Sequence, residues 1–96
     1  KDPHLLEVEN ILSGGLEDVY KELPPDLKIK FKREGERVSG LVWQMVETAK
    51  IKVQKIVDLI RNWLKMIPHV NHFFLEQETK IKTDKIILFA KKHKEE

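Results

Sequence analysis

The 96-residue sequence predicts an all-α protein, and three observations support this fold class. Apolar residues recur every three or four positions over most of the chain, which is the spacing of one face of a helix. β-branched residues are frequent, but they never alternate with polar residues as a half-exposed strand requires. Proline and glycine are few and lie mostly between the periodic segments. The sequence therefore predicts a single helical domain over residues 1–96.

The first 25 residues predict two short helices. Asp2 and Pro3 are typical of a helix start, since the carboxylate caps free N–H groups and proline fits the first turn. Ser13-Gly14-Gly15 ends this first helix. A second helix over residues 16–23 follows, and Pro24-Pro25 ends it because proline removes a backbone donor and restricts the preceding residue.

The central segment predicts one long amphipathic helix over residues 26–67. It contains no proline before Pro68, and its apolar residues follow a single helical stripe. The members of this stripe are Leu27, Phe31, Val38, Val42, Met45, Ala49, Val53, Ile56, Ile60, Trp63 and Ile67.

Two glycines offer an alternative in which this helix breaks. Gly35 and Gly40 lie in or near an almost wholly polar stretch, and a glycine inside a helix costs about 1 kcal/mol relative to alanine. The seven-residue step from Phe31 to Val38 favours a continuous helix, because it preserves the stripe.

The length of the predicted helix leads to an expectation about function. At 1.5 Å per residue it would be roughly 60 Å long, whereas a compact domain of this size is only about 35 Å across. Either the helix breaks, or it protrudes, or another chain covers it. We predict a seam with a second copy of the chain or with another protein, formed by Val42, Met45, Ala49, Val53, Ile56, Ile60 and Trp63.

The last helix is predicted over residues 72–92. Pro68 ends the preceding helix, and Asn71 is a favourable N-cap. The apolar pattern places Val70, Phe74, Gln77, Ile81 and Leu88 on one face, with Ile86, Phe89 and Ala90 alongside. Because the connection is short, the two helices are expected to form an antiparallel hairpin or bundle, which we expect to be oligomeric.

Charge is distributed unevenly along the chain. Residues 1–26 have a formal net charge of −5, and residues 27–96 have +7. One interpretation is that the acidic N-terminal helices, residues 1–25, pack beside the basic hairpin, residues 26–96. The alternative is a basic face that stays free and binds an anionic membrane or nucleic acid. That face would consist of Lys50, Lys52, Lys55, Arg61 and Lys65.

No residue pattern supports catalysis. Ser13 and Ser39 have no histidine nearby in sequence, and the glycines lack the context of a phosphate-binding loop. His69, His72 and Glu76 have a spacing that suits zinc, but His69 precedes the helix and a fourth ligand is lacking. We therefore predict no enzyme activity, metal site, cofactor or small-molecule substrate.

The absence of cysteine excludes disulfides and thiolate chemistry, and it favours a cytoplasmic location. The sequence begins with Lys1 and not with methionine, so we expect a further segment upstream, such as a tag, signal or anchor. Together these observations predict a non-catalytic helical module for protein interaction or self-assembly, with anionic membrane or nucleic-acid binding as the alternative.

Overall fold

The computed structural model describes residues 2–95, and all regular structure within them is helical. Five helices follow one another: α1 (Pro3–Ser13), α2 (Glu17–Glu22), α3 (Pro25–Glu47), α4 (Val53–Leu64) and α5 (His72–Glu95). The predicted all-α class is confirmed. The molecule measures 40 × 29 × 18 Å along its principal axes, so none of its dimensions approaches the 60 Å expected of one continuous helix.

The N-terminal helices begin and end near the predicted capping residues. Asp2 Oδ1 accepts a 2.8 Å hydrogen bond from the backbone N–H of His4, and Pro3 is the first residue of α1. After α1, Gly15 has φ of 76°, a conformation that glycine adopts without steric strain. The chain then turns into the short helix α2, and α3 begins at Pro25.

The predicted continuous helix over residues 26–67 is wrong. α3 ends at Glu47, and α4 begins only at Val53. The predicted alternative, a break at Gly35 or Gly40, is also wrong, because both glycines lie inside α3.

A Schellman motif ends α3. The N–H of Lys50 donates to the Met45 carbonyl at 3.0 Å, and the N–H of Ala49 donates to the Val46 carbonyl at 3.1 Å. Ala49 has φ of 57°, the left-handed conformation that this motif requires and usually takes from glycine. Because alanine occupies this position, no glycine marks the end of the helix in the sequence.

α4 and α5 form the predicted antiparallel hairpin, although α4 is much shorter than the helix expected there. Asn71 caps α5, since its Oδ1 accepts a 3.1 Å hydrogen bond from the N–H of Phe74. Near this closed end, Arg61 Nε donates to Glu76 Oε2 at 2.7 Å. The two helices therefore run side by side from the turn onward.

The core lies where α1 packs against α3 and α5, and where α4 packs against the same two helices. Its buried apolar residues are Val8, Leu12, Leu16, Leu23, Phe31, Val38, Val42, Trp43, Val46, Ile56, Ile60, Trp63, Leu64, Leu75, Ile86 and Phe89. The fold-back of α4 onto α3 brings both halves of the predicted stripe into this one core. The chain therefore covers most of its own stripe.

A buried lysine joins the end of α1 to α5. The side chain of Lys82 is 2% exposed, and its Nζ donates to the Gly14 carbonyl at 2.7 Å and contacts Glu78 Oε1 at 3.1 Å. Burial lowers the pKa of Lys82 below its ordinary value of 10.5, although the hydrogen bond to Glu78 acts in the opposite direction. The cation also lies at the carboxyl end of α1, where the helix dipole favours positive charge.

Candidate functional site

Four of the seven residues predicted to form a seam lie in the core. Val42, Ile56 and Ile60 are completely buried, and Trp63 is 4% exposed. These side chains pack within the chain itself and are not presented to a partner. We expected another chain to cover them because a continuous helix would be too long for the domain. The helix is interrupted between α3 and α4, so this reason no longer holds.

The other three predicted seam residues differ in burial and in the element that carries them. Met45 is half-buried beside the core, Ala49 lies in the loop between α3 and α4, and Val53 is the first residue of α4 with 48% of its side chain exposed. The structure therefore does not bring the seven residues together on one exposed face.

The contacts of Trp63 show how α4 packs against α3. Its indole N–H donates to the Phe31 carbonyl at 2.9 Å, and the two rings stack with centroids 4.7 Å apart. A Cβ atom on Gly35 would lie 3.0 Å from Cζ2 of this indole, so a side chain there would require the ring to shift by a few tenths of an ångström. Gly35 is thus a contact point between α3 and α4.

The predicted basic face is spread over a loop and one helix. Lys50 and Lys52 lie in the loop before α4, Lys55 is exposed on α4, and Lys65 is exposed directly after it. Arg61 is engaged with Glu76 across the hairpin, so its charge is partly neutralised. The five cations therefore do not all belong to one helix.

The histidines considered as metal ligands lie in and after the turn. His69 has φ of 55°, and His72 is the first residue of α5. Glu76, the third candidate, is the partner of Arg61. Among residues 2–95, no three His, Cys, Asp or Glu side chains are grouped closely enough to hold a metal ion.

Three exposed apolar side chains lie on the side of α5 that faces away from the core. Phe73 is 72% exposed, Leu88 55% and Ile81 37%. At 100° per residue these three side chains fall within one narrow sector of the helix, together with Gln77 and Asp84. We call these five residues the outer α5 face.

Lysines border the outer α5 face on both sides. Lys80 and Lys91 flank one edge, and Lys85 and Lys92 flank the other; all four are exposed. Lys80 pairs with Asp84 at 3.0 Å, and this exposed pair contributes little to stability. The face therefore contains three exposed apolar side chains interspersed with Gln77 and Asp84, and lysines lie along both of its edges.

A groove between α4 and α5 continues this surface. It has a volume of about 270 Å³ and is lined by Val53, Val57 and Ile87, with Thr79 and Thr83 also in its lining. Both threonines are 4% exposed, and their hydroxyls have no hydrogen-bond partner among the described residues. Asp84 borders both the groove and the outer α5 face, so the two features adjoin.

The sequence pattern pointed to the wrong side of α5. It placed Ile81 and Leu88 on a face with Phe74, whereas the buried row is Leu75, Thr79, Lys82, Thr83, Ile86 and Phe89. This row also has helical spacing, but it includes two threonines and a lysine, so it is not uniformly apolar. A search for helical spacing that admitted threonine and long-stemmed lysine would have found it.

No known protein family, curated protein or solved structure matches the chain. None of the helices between residues 2 and 95 is long and apolar enough to cross a membrane.

Proposed function

We propose that this protein is a non-catalytic helical interaction module that self-associates through the outer α5 face. The observation that carries this proposal is the exposure of Phe73, Ile81 and Leu88 in one sector of a helix. Apolar side chains grouped in this way and rimmed by charge are typical of protein interaction surfaces. A partner that covers them removes apolar area from water, which favours association.

The charge distribution argues for a second copy as the partner. Glu7, Glu17, Asp18 and Glu22 are exposed on α1 and α2, and Leu6 beside them is 47% exposed. Three ion pairs lie wholly within the basic part of the chain and do not involve these acidic residues. They are Arg37–Glu34, Arg61–Glu76 and Lys80–Asp84. The acidic surface of one copy thus complements the lysine rim on another.

The contact joins two different surfaces of the chain, so each copy would retain a free acidic surface and a free α5 face. Such head-to-tail association does not close at a dimer unless the geometry forms a ring. We expect the weight-average mass in analytical ultracentrifugation to rise with concentration beyond that of a dimer. We also expect association to weaken as salt screens the charges.

The substitution Leu88→Glu tests this surface, because it adds a negative charge at an exposed position without disturbing the core. We expect it to weaken association at least about tenfold, as loss of an apolar interface contact does. Ile29→Glu is the matched control, since Ile29 is 58% exposed but lies on α3. A protein that stays monomeric at all concentrations, or equal effects of the two substitutions, would overturn the proposal.

Binding of an anionic membrane or nucleic acid through Lys50, Lys52, Lys55, Arg61 and Lys65 stays a prediction. The exposed residues Ile51 and Val53 lie among the first three of these lysines, which suits contact with a lipid surface. The engagement of Arg61 with Glu76 argues in the other direction. We favour self-association, because three exposed apolar side chains share the outer α5 face, whereas only Ile51 and Val53 accompany the lysines.

A further inference from the structure

A cavity lined by residues of α1, α2, α3 and α4 lies away from the outer α5 face. It has a volume of about 470 Å³, within the range of small-molecule sites in proteins. Its floor is apolar and is formed by Leu12, Leu16, Phe31 and Trp63. We call this cavity the N-terminal pocket.

The polar groups at the floor of the N-terminal pocket are already engaged within the protein. The indole N–H of Trp63 donates to the Phe31 carbonyl, and Ser39 Oγ donates to the Gly35 carbonyl at 2.8 Å. A ligand that reaches the floor therefore contacts aromatic and aliphatic surface, because both hydrogen-bond donors there are bonded to backbone carbonyls. We expect the part of the ligand that lies at the floor to be apolar.

The mouth of the pocket has a different character. Glu17 and Glu36 line it, both are exposed, and neither forms an ion pair with another residue between 2 and 95. Lys32 is the single cation in the lining. The excess of negative charge favours a positively charged group at the mouth.

We propose that the N-terminal pocket binds a small organic cation, with an apolar body against Phe31 and Trp63 and a protonated amine between Glu17 and Glu36. No sequence motif predicts this site, because its residues come from four helices and from the turn before α2. The pocket shares no residue with the outer α5 face, but Glu17 also belongs to the acidic surface of the proposed self-association.

Isothermal titration of the full chain at neutral pH with three eight-carbon probes tests this site. Octylamine is cationic, 1-octanol is neutral and octanoate is anionic, while the apolar body stays the same. We expect saturable binding of octylamine, about tenfold weaker binding of 1-octanol and no measurable binding of octanoate. Equal affinity for octylamine and octanoate, or no saturable binding of octylamine, would overturn the proposal.

The double variant Glu17→Gln/Glu36→Gln locates the binding. We expect it to weaken octylamine binding about tenfold and to leave 1-octanol binding unchanged, because the apolar floor is intact. Glu22→Gln/Glu47→Gln is the matched control, since both residues are exposed and lie outside the pocket lining. Equal loss in the two double variants would place the amine elsewhere and would contradict the assignment.

Discussion

The ammonium group of Lys82 links α1 to α5 at a buried position. Its hydrogen bond to the Gly14 carbonyl satisfies an orphan acceptor at the end of α1, and Glu78 provides the opposite charge. Removal of such a group leaves a buried carbonyl without a donor, which costs about 1–3 kcal/mol. The lysine therefore holds the N-terminal helix in place even though its own burial is unfavourable.

This burial predicts a pH dependence. The pKa of Lys82 is lower in the folded protein than in the unfolded chain, so between the two values the unfolded chain binds more protons. The free energy of unfolding therefore rises with pH across that window, and below both values the contribution is constant. We expect the wild type to gain stability relative to Lys82→Met as pH is raised through the lowered pKa toward 10.5.

Urea unfolding of both proteins at a series of alkaline pH values checks this prediction. The other titrating groups are common to the two proteins, so the difference in the free energy of unfolding isolates Lys82. A difference that does not change with pH, or one in which the wild type loses stability, would contradict it.

At the scale of the elements, the end of α3 is the feature that the sequence did not reveal. The capping residues of α1 and α5 are Asp2 and Asn71, and their types predicted both helix starts. Ala49 has no such signature, because alanine favours the helix interior in almost every other context. Tertiary packing, with Trp63 against Phe31 and Gly35, overrides this preference.

The left-handed conformation of Ala49 predicts the effect of a substitution. An alanine in this conformation costs roughly 1–2 kcal/mol that glycine avoids, and the greater freedom of glycine in the unfolded chain offsets part of the gain. We expect Ala49→Gly to raise the free energy of unfolding by about 1 kcal/mol, measured by urea denaturation.

Ala90 provides the control, since it is the only other alanine and lies within α5. We expect Ala90→Gly to lower the free energy of unfolding by about 1 kcal/mol, as glycine does inside a helix. If Ala49→Gly destabilised the protein to the same extent, residue 49 would be in a helix and the break would be misplaced.

The orientation of α5 was only partly predictable. The helix and its cap follow from the pattern, but apolar residues occur on two sides of it. The buried row contains Lys82, Thr79 and Thr83, so hydropathy alone could not identify it. The packing of α4 and α1 against α5 decides which side is buried, and no local pattern encodes these contacts.

At the scale of the whole molecule, the fold accommodates the predicted stripe within a domain much shorter than 60 Å. α4 folds back along α3, so the apolar residues of both helices pack in one core. The surfaces that remain are the outer α5 face with its lysine rim and the acidic surface of α1 and α2. A molecule with two such surfaces of opposite charge is suited to bind other copies of itself.

The fold-back of α4 onto α3 is the central claim, because it moves the predicted seam into the core. The chain contains no cysteine, so Glu36→Cys/Asn62→Cys carries two spin labels at defined exposed positions. The labelled residues neighbour Gly35 and Trp63, which are in contact, so electron paramagnetic resonance should give a label separation below roughly 20 Å, as on two packed helices. A continuous helix would separate these positions by about 39 Å, and a distance distribution centred there would contradict the fold-back.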